Sequence, residues 1–310
     1  MRKIAFLFPG QGAQFVGMGL DLYNNFPRAR EVFEEADSVL GLGLSRLCFE
    51  GPFEELTRTE NCQPAVLTAS IASLVVLEAL RPDLKPSYTA GLSLGEYAAL
   101  VASGIVRFKD ALRLVRKRGQ LMEEAARKHP GKMLCILGLE KEKVEKVCGI
   151  SGCEIANMNA PGQIIVSCRE PGAETVSSQA MQAGAKRVIP LDVSGAFHCS
   201  LMNEAAEGLR SEIEEIPFQK ATVPLISNVD ARQQGDPEVV KKNLIRQVNS
   251  PTYWEASMRY LLGQGMDEFY EIGPGSVLKG LMKKIDASVR VINAGRWPEM
   301  EALAGEGAGA

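Results

Sequence analysis

The sequence predicts an α/β protein with a largely parallel sheet, into which a small ferredoxin-like unit is inserted. Three observations lead to this prediction. Apolar segments of strand length alternate with helical patterns along most of the chain. The segment 129–194 repeats this alternation around two Pro-Gly breaks, and a Gly-x-Ser-x-Gly motif joins a predicted strand to a predicted helix.

The main sheet is predicted from short apolar segments separated by longer helical patterns. The strands outside the insert are Lys3–Phe8, Tyr88–Leu92, Val223–Ser227 and Phe269–Glu271. The helices are Ala29–Leu40, Gln63–Leu80, Leu94–Ser103, Phe108–Lys128, Leu201–Ile213, Pro237–Val248 and Trp254–Gly263. Because strands alternate with helices, the connections are crossovers, which make neighbouring strands parallel.

The insert is predicted to contain three strands and two helices. They are Lys132–Leu139, Lys141–Cys148, Gln163–Ser167, Glu174–Ala183 and Arg187–Asp192, in chain order. A ferredoxin-like βαββαβ unit is about this size. We therefore divide the chain into a large domain (1–128 and 195–310) and a small subdomain (129–194), and we expect a ligand cleft between them.

The composition is typical of a globular enzyme. With 24% charged residues and a net charge of -3, the 310-residue chain lacks the basic excess of nucleic-acid binders. The longest apolar run, Ala65–Leu80, is shorter than a membrane span and contains Glu78, which predicts a buried helix and no membrane association. The N-terminal apolar segment Ile4–Phe8 is too short for a signal peptide, so we expect a cytoplasmic protein. The Gly- and Ala-rich end, 302–310, is predicted to be frayed.

The seven cysteines predict reduced thiols rather than a disulfide framework or a metal site. They are odd in number, scattered, and form no Cys-x-x-Cys pair. Cys199 directly follows His198, which raises the alternative of a Cys–His pair. Neighbouring side chains on an extended segment point in opposite directions, so we rank that alternative lower.

Ser93 is the candidate nucleophile, in the motif Gly91-Leu92-Ser93-Leu94-Gly95. A strand before the motif and a helix after it are the context of a nucleophile elbow, in which the glycines permit a strained turn. The helix would point its first N–H groups at the place where an oxyanion develops. The alternative for so short a motif is an ordinary glycine turn.

A serine nucleophile needs a general base, and the chain contains only two histidines. His129 ends a charged helix, where a solvated side chain favoured by the helix dipole is the simpler interpretation. His198 follows the predicted strand that ends at Asp192, and we take it as the candidate base. Its alternative is a buried structural histidine.

Six motifs occur in a fixed order along the chain. They are Phe8–Gln14, Gly91–Tyr97, Arg118-Gly119 with Met122, Gly195–His198, Gln247 with Pro251 and Trp254, and Glu271–Gly275. Together they resemble the malonyl-CoA:acyl carrier protein transacylases of type II fatty acid synthesis, and they are similar to the acyltransferase domains of polyketide synthases. The resemblance spans nearly the whole chain. It implies a hydrolase-like α/β core with an inserted ferredoxin-like subdomain, and an enzyme that transfers acyl groups.

The resemblance also implies a ping-pong reaction, in which a malonyl group passes from malonyl-CoA to the phosphopantetheine thiol of acyl carrier protein. Ser93 would carry the malonyl ester, and His198 would act as general base and acid. The backbone carbonyl of Gln247 would orient His198, and the oxyanion hole would be the backbone N–H groups of Gln11 and Leu94. Asp192 is the alternative partner for His198, because a carboxylate stabilises an imidazolium better than a carbonyl does.

By the same resemblance, Arg118 would bind the malonyl carboxylate through two parallel hydrogen bonds. The residues alone do not distinguish Arg118 from Arg116 on the same helix. Phe197 resembles the residue found where the acyl group is malonyl, although a pocket discriminates one methyl group by only ~1–3 kcal/mol. Leu92 replaces a histidine that is common before the nucleophile in relatives, so a polar contact made there would be missing.

Two other interpretations share these residues. A serine esterase or thioesterase would use the same serine and base, but α/β-hydrolases place the histidine late, whereas 199–310 still follow His198. A scaffold protein could keep the fold without activity.

The expected partners are malonyl-CoA, as a substrate, and an acidic acyl carrier protein. The candidate rim residues for the carrier are Lys117, Lys279, Lys283 and Lys284. We expect no organic cofactor, no metal ion, no nucleic acid and a monomer.

Overall fold

A computed structural model describes residues 3–307, with side chains described through residue 305. Its strands are β1 (Ile4–Phe8), β2 (Tyr88–Gly91), β3 (Gly131–Leu137), β4 (Glu154–Ala160), β5 (Gln163–Arg169), β6 (Arg187–Pro190), β7 (Leu225–Ile226), β8 (Gln233–Gln234), β9 (Glu268–Ile272) and β10 (Arg290–Ala294). Its helices are α1 (Leu20–Asn25), α2 (Pro27–Leu40), α3 (Leu44–Glu50), α4 (Phe53–Thr57), α5 (Thr59–Leu80), α6 (Gly95–Ala102), α7 (Phe108–Lys128), α8 (Lys141–Ser151), α9 (Gly172–Gln182), α10 (Asn203–Glu215), α11 (Pro237–Asn249), α12 (Trp254–Gly263), α13 (Val277–Ile285) and α14 (Trp297–Gly307).

The large sheet has the order β10-β9-β1-β2-β7-β8. Every neighbouring pair is parallel except β7 with β8. All five residues of β1 are buried, as expected for a central parallel strand covered by helices on both faces. The predicted α/β class with a largely parallel sheet is confirmed.

Helix α5 lies in the core beneath this sheet. Within the described residues it is the helix that is long and apolar enough to cross a membrane, with 22 residues. Its most apolar window is 78% buried inside the protein, against α2, α7 and the sheet. Because protein surrounds α5, the helix is apolar on all sides.

The second sheet has the order β4-β5-β3-β6, and all its neighbouring strands are antiparallel. The first and third strands of the segment lie in the middle, which is the arrangement of a ferredoxin-like βαββαβ unit. Helices α8 and α9 cover one face and share an apolar cluster with the strands. The predicted ferredoxin-like insert is confirmed, while the boundaries at 128/129 and 194/195 remain predictions.

The structure differs from the sequence-based prediction in several elements, among them the short α1, α3, α4 and β8, which were not predicted. Strand β4 was not among the predicted strands of the insert, and α13, β10 and α14 were not predicted at all. The expectation of a frayed end is wrong for 302–307, because α14 continues to Gly307 and packs Met300 and Leu303 into the core. Residues 308–310 lie outside the described range.

Candidate active site

The carboxyl ends of three adjacent parallel strands meet at one place. The chain leaves β1 toward Gln11, β2 toward Ser93 and β7 toward Asn228. This edge is where ligands bind in open α/β sheets. A cavity of about 170 Å³ lies here, and residues of the small subdomain, such as Asn157 and Asn159, form its opposite wall. The site is therefore between the two sheets, as the sequence predicted.

Ser93 occupies a strained turn between β2 and α6. Its φ is 52°, a left-handed value that is uncommon for any residue other than glycine. The flanking glycines are needed: a Cβ at Gly95 would lie 2.1 Å from the carbonyl oxygen of Phe8, and one at Gly91 would lie 2.0 Å from Gly95. The Gly-x-Ser-x-Gly motif is thus the close-packed elbow rather than an ordinary turn.

Asn228 braces this elbow from β7. Its Oδ1 accepts a hydrogen bond from the Ser93 backbone N–H at 2.7 Å, and its Nδ2 donates to the Gly91 carbonyl at 2.7 Å. Asn228 was not among the site residues predicted from the sequence. A polar residue directly after a buried parallel strand was the signal that could have identified it.

Ser93 and His198 are brought together, although 105 positions separate them in the chain. The distance from Ser93 Oγ to His198 Nε2 is 2.8 Å, and His198 Nδ1 lies 2.8 Å from the carbonyl oxygen of Gln247. Because a carbonyl only accepts, Nδ1 carries the proton and Nε2 is free to accept one from the serine. Burial, and secondarily the charge of Arg118, lower the pKa of His198 to about 4, so the ring is neutral near pH 7.

The other partners considered for this chemistry lie elsewhere. Asp192 is exposed, and the contact behind His198 comes from Gln247 instead. His129 ends α7 on the surface, with Nε2 3.3 Å from Glu204 Oε1. The Cys199 thiol donates to the Ala196 carbonyl, and burial raises its pKa to about 11, so it stays protonated.

Gln11 and Leu94 both line the cavity beside Ser93. Among the described residues, neither backbone N–H donates to a protein acceptor, which leaves both available to a ligand oxygen. Gly10 allows the loop after β1 to approach, because a Cβ there would lie 2.4 Å from the Leu92 carbonyl oxygen. The geometry is that of two backbone donors adjoining a serine hydroxyl.

Arg118 is the charged residue of the cavity wall. Its side chain is 1% exposed, and Nη2 lies 3.1 Å from Ser93 Oγ and 3.0 Å from Gln247 Oε1. Nη1 donates to Gln63 Oε1 at 2.8 Å. Arg116 faces away, with Nη1 2.6 Å from the Glu60 carbonyl oxygen, so the structure distinguishes the two arginines.

The guanidinium of Arg118 is buried without a carboxylate partner within ion-pairing distance among the described side chains. Its Nε–H has no acceptor there, and its Cζ lies 5.5 Å from the centre of the Tyr97 ring, over its face. Burial lowers the pKa of Arg118, and the neighbouring Tyr97 and Glu96 side chains oppose this shift. An arginine remains protonated nevertheless, so the cavity holds a positive charge that is available to an anion.

The remaining walls are apolar. Phe197 lines the cavity next to His198 and is 5% exposed, and Leu92 lines it on the other side of Ser93. Met122 and Met133 also line the cavity, as do Ile165, Leu191, Val193 and Val277. Within residues 3–307, no group of three or more His, Cys, Asp or Glu side chains is placed to hold a metal ion.

Comparison with known proteins agrees with this geometry. The family model described as "Acyl transferase domain" matches residues 5–294. The fold and the match define the chain as an acyltransferase. A malonyl CoA-acyl carrier protein transacylase of Bacillus subtilis (strain 168) is 48% identical over 298 residues, which are 94% of this chain and 93% of the relative.

Solved structures of similar proteins cover nearly the whole chain. An acyl-carrier-protein-S-malonyltransferase from Bartonella henselae superposes with a TM-score of 0.93 at 39% identity, covering 98% of this chain and 99% of that one. A malonyl-transacylase in complex with its type II PKS acyl-carrier protein superposes with a TM-score of 0.93 at 37% identity. The match covers 98% of this chain and 99% of that one. The chain belongs to the malonyl CoA-acyl carrier protein transacylase family.

Proposed function

We infer that the protein transfers a malonyl group from malonyl-CoA to the phosphopantetheine thiol of acyl carrier protein through a malonyl ester of Ser93. The names of its relatives support this substrate and this acceptor, and one solved structure contains a similar malonyl-transacylase in complex with its acyl-carrier protein. The single observation that carries the proposal is the position of Arg118. A buried, permanently charged guanidinium 3.1 Å from the serine hydroxyl suits an acyl group that bears a carboxylate.

The first half-reaction forms the ester. His198 Nε2 accepts the Ser93 hydroxyl proton while Oγ attacks the thioester carbonyl carbon. The carbonyl oxygen becomes an oxyanion, which accepts hydrogen bonds from the Gln11 and Leu94 backbone N–H groups. When the C–S bond breaks, the sulfur of coenzyme A takes the proton from His198 and leaves as the thiol.

The second half-reaction reverses these steps with another thiol. His198 accepts the proton of the phosphopantetheine thiol, and the phosphopantetheine sulfur attacks the ester carbonyl carbon. The tetrahedral intermediate again places its oxygen at the same two N–H groups. The C–Oγ bond then breaks, Ser93 regains a proton from His198, and malonyl carrier protein is released.

Arg118 would hold the malonyl carboxylate during both half-reactions. Its Nη2 already faces Ser93 Oγ, so the carboxylate of an acyl group on that oxygen lies within reach of the guanidinium. An uncompensated carboxylate would be costly in this cavity, because Arg118 is the charged residue of its lining and the other lining side chains are neutral. The guanidinium therefore selects malonyl over acetyl.

The surface next to the cavity suits an acidic carrier. Val277, the first residue of α13, lines the cavity, and α13 exposes Lys279, Lys283 and Lys284. Lys117 is less suitable, because its Nζ lies 3.5 Å from Glu212 Oε1. Charge reversal at Lys279 and Lys283 should raise the KM for carrier protein several-fold and leave acylation by malonyl-CoA unchanged. The same reversal at Lys117 is the control, and an equal rise there would refute this assignment.

The test of the function is the fate of labelled malonyl-CoA. With carrier protein present, label should appear on the carrier, and the Ser93→Ala variant should transfer none. If the label is instead released as free malonate at the same rate with and without carrier protein, the enzyme is a thioesterase and the proposal is wrong.

A further inference from the structure

Glu96 is a buried carboxylate directly behind the site. It lies in the first turn of α6 and is 1% exposed. Its oxygens accept hydrogen bonds from Gln247 Nε2 at 2.7 Å, from Gln234 Nε2 at 3.3 Å and from the Asn228 backbone N–H at 3.4 Å. No lysine, arginine or histidine side chain of the described residues forms an ion pair with it. The reaction described above does not use it.

The side chain of Gln247 lies between Glu96 and Arg118. Its Nε2 donates to Glu96 Oε2 and, at 2.9 Å, to the Ser93 carbonyl oxygen, while its Oε1 accepts from Arg118 Nη2. The carboxylate and the carbonyl can only accept, and the guanidinium can only donate, so the amide fits in one orientation. One amide group therefore separates a buried negative charge from the buried positive charge of the site.

We propose that Glu96 is the resident counter-charge of Arg118, and that it tunes how tightly the enzyme holds the malonyl carboxylate. This proposal rests on the proposed function of Arg118. In the free enzyme, Glu96 stabilises the guanidinium without occupying the N–H groups that face the cavity. When a substrate carboxylate binds Arg118, two negative charges share one positive charge, so Glu96 weakens the binding and favours release of the malonyl group to the acceptor.

The size of the effect follows from Coulomb's law. The two carboxylates lie on opposite sides of the Gln247 amide and the Arg118 guanidinium. Two unit charges on the order of 10 Å apart, at an effective dielectric of about 20, change an equilibrium constant by about tenfold or slightly more. Removing the charge of Glu96 should therefore tighten malonyl-CoA binding by about tenfold. Binding of acetyl-CoA, which has no carboxylate, should change by less than about twofold.

The experiment uses Ser93→Ala protein, which cannot be acylated, at pH 8, where Glu96 is mostly ionised because its pKa is raised to about 7. The Kd of malonyl-CoA and acetyl-CoA is measured by calorimetry. The same measurement on Ser93→Ala/Glu96→Gln removes the charge but retains the shape and an acceptor oxygen for Gln247. The matched control adds Glu255→Gln, which removes a carboxylate from the surface of α12, where it pairs with Arg259. The proposal predicts a rise in the malonyl-to-acetyl affinity ratio of about tenfold with Glu96→Gln and no change with Glu255→Gln.

One outcome would overturn the role of Glu96, and a different outcome would overturn the role of Arg118 on which it rests. An unchanged or lower ratio with Glu96→Gln refutes the counter-charge role of Glu96, because a structural role would move both ligands together. If the Ser93→Ala protein itself binds malonyl-CoA no better than acetyl-CoA, and Arg118→Ala does not alter that, the proposed function of Arg118 fails first.

If the Glu96→Gln protein does not fold, the pH dependence of the Ser93→Ala protein gives the same test. Burial raises the pKa of Glu96 to about 7; Arg118 opposes this rise, and Asp230, which pairs with Arg246, adds to it. Tyr97 and His198 also face this region, but their pKa values of about 12 and about 4 keep both neutral near pH 7. The affinity ratio should therefore rise as the pH falls from 8 to 6 and Glu96 takes up a proton; a flat or falling ratio refutes the proposal.

Discussion

Replacing Arg118 by alanine should remove the preference for malonyl groups without removing acyl transfer. Arg118 is 1% exposed, and its Nη2 lies 3.1 Å from the hydroxyl that is acylated. Two charge-assisted hydrogen bonds to a carboxylate contribute about 1.5–3 kcal/mol each. Their loss, partly offset by water entering the vacated space, should lower kcat/KM for malonyl-CoA by about a hundred- to a thousandfold.

Acetyl transfer should fall by less than about tenfold in the same variant, because the contacts of Ser93 with His198 and of His198 with Gln247 remain. Single-turnover acylation with each acyl-CoA measures both rates. Arg118→Lys is an informative companion, since it keeps the charge but not the planar fork, and its malonyl rate should be intermediate. Arg116→Ala is the control and should affect the two substrates equally. An equal loss of both activities in Arg118→Ala would refute the carboxylate role.

Three further predictions concern the elbow and its base. The pKa of His198 is lowered to about 4, and the ring acts as a base when it is neutral. The value of kcat/KM for acetyl-CoA should therefore stay level from pH 5.5 to 8. A fall in kcat/KM below about pH 6.5 would contradict the lowered pKa. Gly95→Ala should markedly lower the thermal midpoint, whereas Gly280→Ala, in open space within α13, should raise it slightly; equal effects would contradict the packing argument. Asn228→Ala, which frees the Ser93 backbone N–H, should lower kcat by about tenfold or more with little change in KM, and a change in KM alone would argue against its bracing role.

Much of the site could be predicted because its parts are local motifs with a fixed structural context. The strand before Ser93 and the helix after it could be recognised from hydrophobicity, and their parallel packing follows from the alternation of elements. Arg118 was chosen over Arg116 only by the family resemblance, although the periodicity of α7 held a signal that was not used. Arg118 stands three residues after Val115 and four before Met122, both buried, so it interrupts the apolar stripe of α7. A charge in that stripe was a signal for a buried site.

The parts that could not be predicted depend on tertiary contacts. Strand β4 contains Asn157 and Asn159, which have low strand propensity, and both line the cavity. Because both side chains line the cavity, these polar residues reflect the cleft rather than a loop. Glu96 resembles a first-turn helix residue at the surface, and only the surrounding amides show that it is buried. No feature of the neighbouring sequence distinguishes such a buried glutamate from an exposed one.

The central claim is that Ser93 carries the acyl group, and a direct measurement can test it. The protein is incubated with malonyl-CoA without carrier protein, quenched in acid, digested and mapped by mass spectrometry. A malonyl ester is expected on the peptide that contains Ser93. It should be absent from the Ser93→Ala variant and discharged when carrier protein is added before the quench. A malonyl group on another residue, such as the Cys199 thiol, or full transfer to carrier protein by the Ser93→Ala variant, would contradict it.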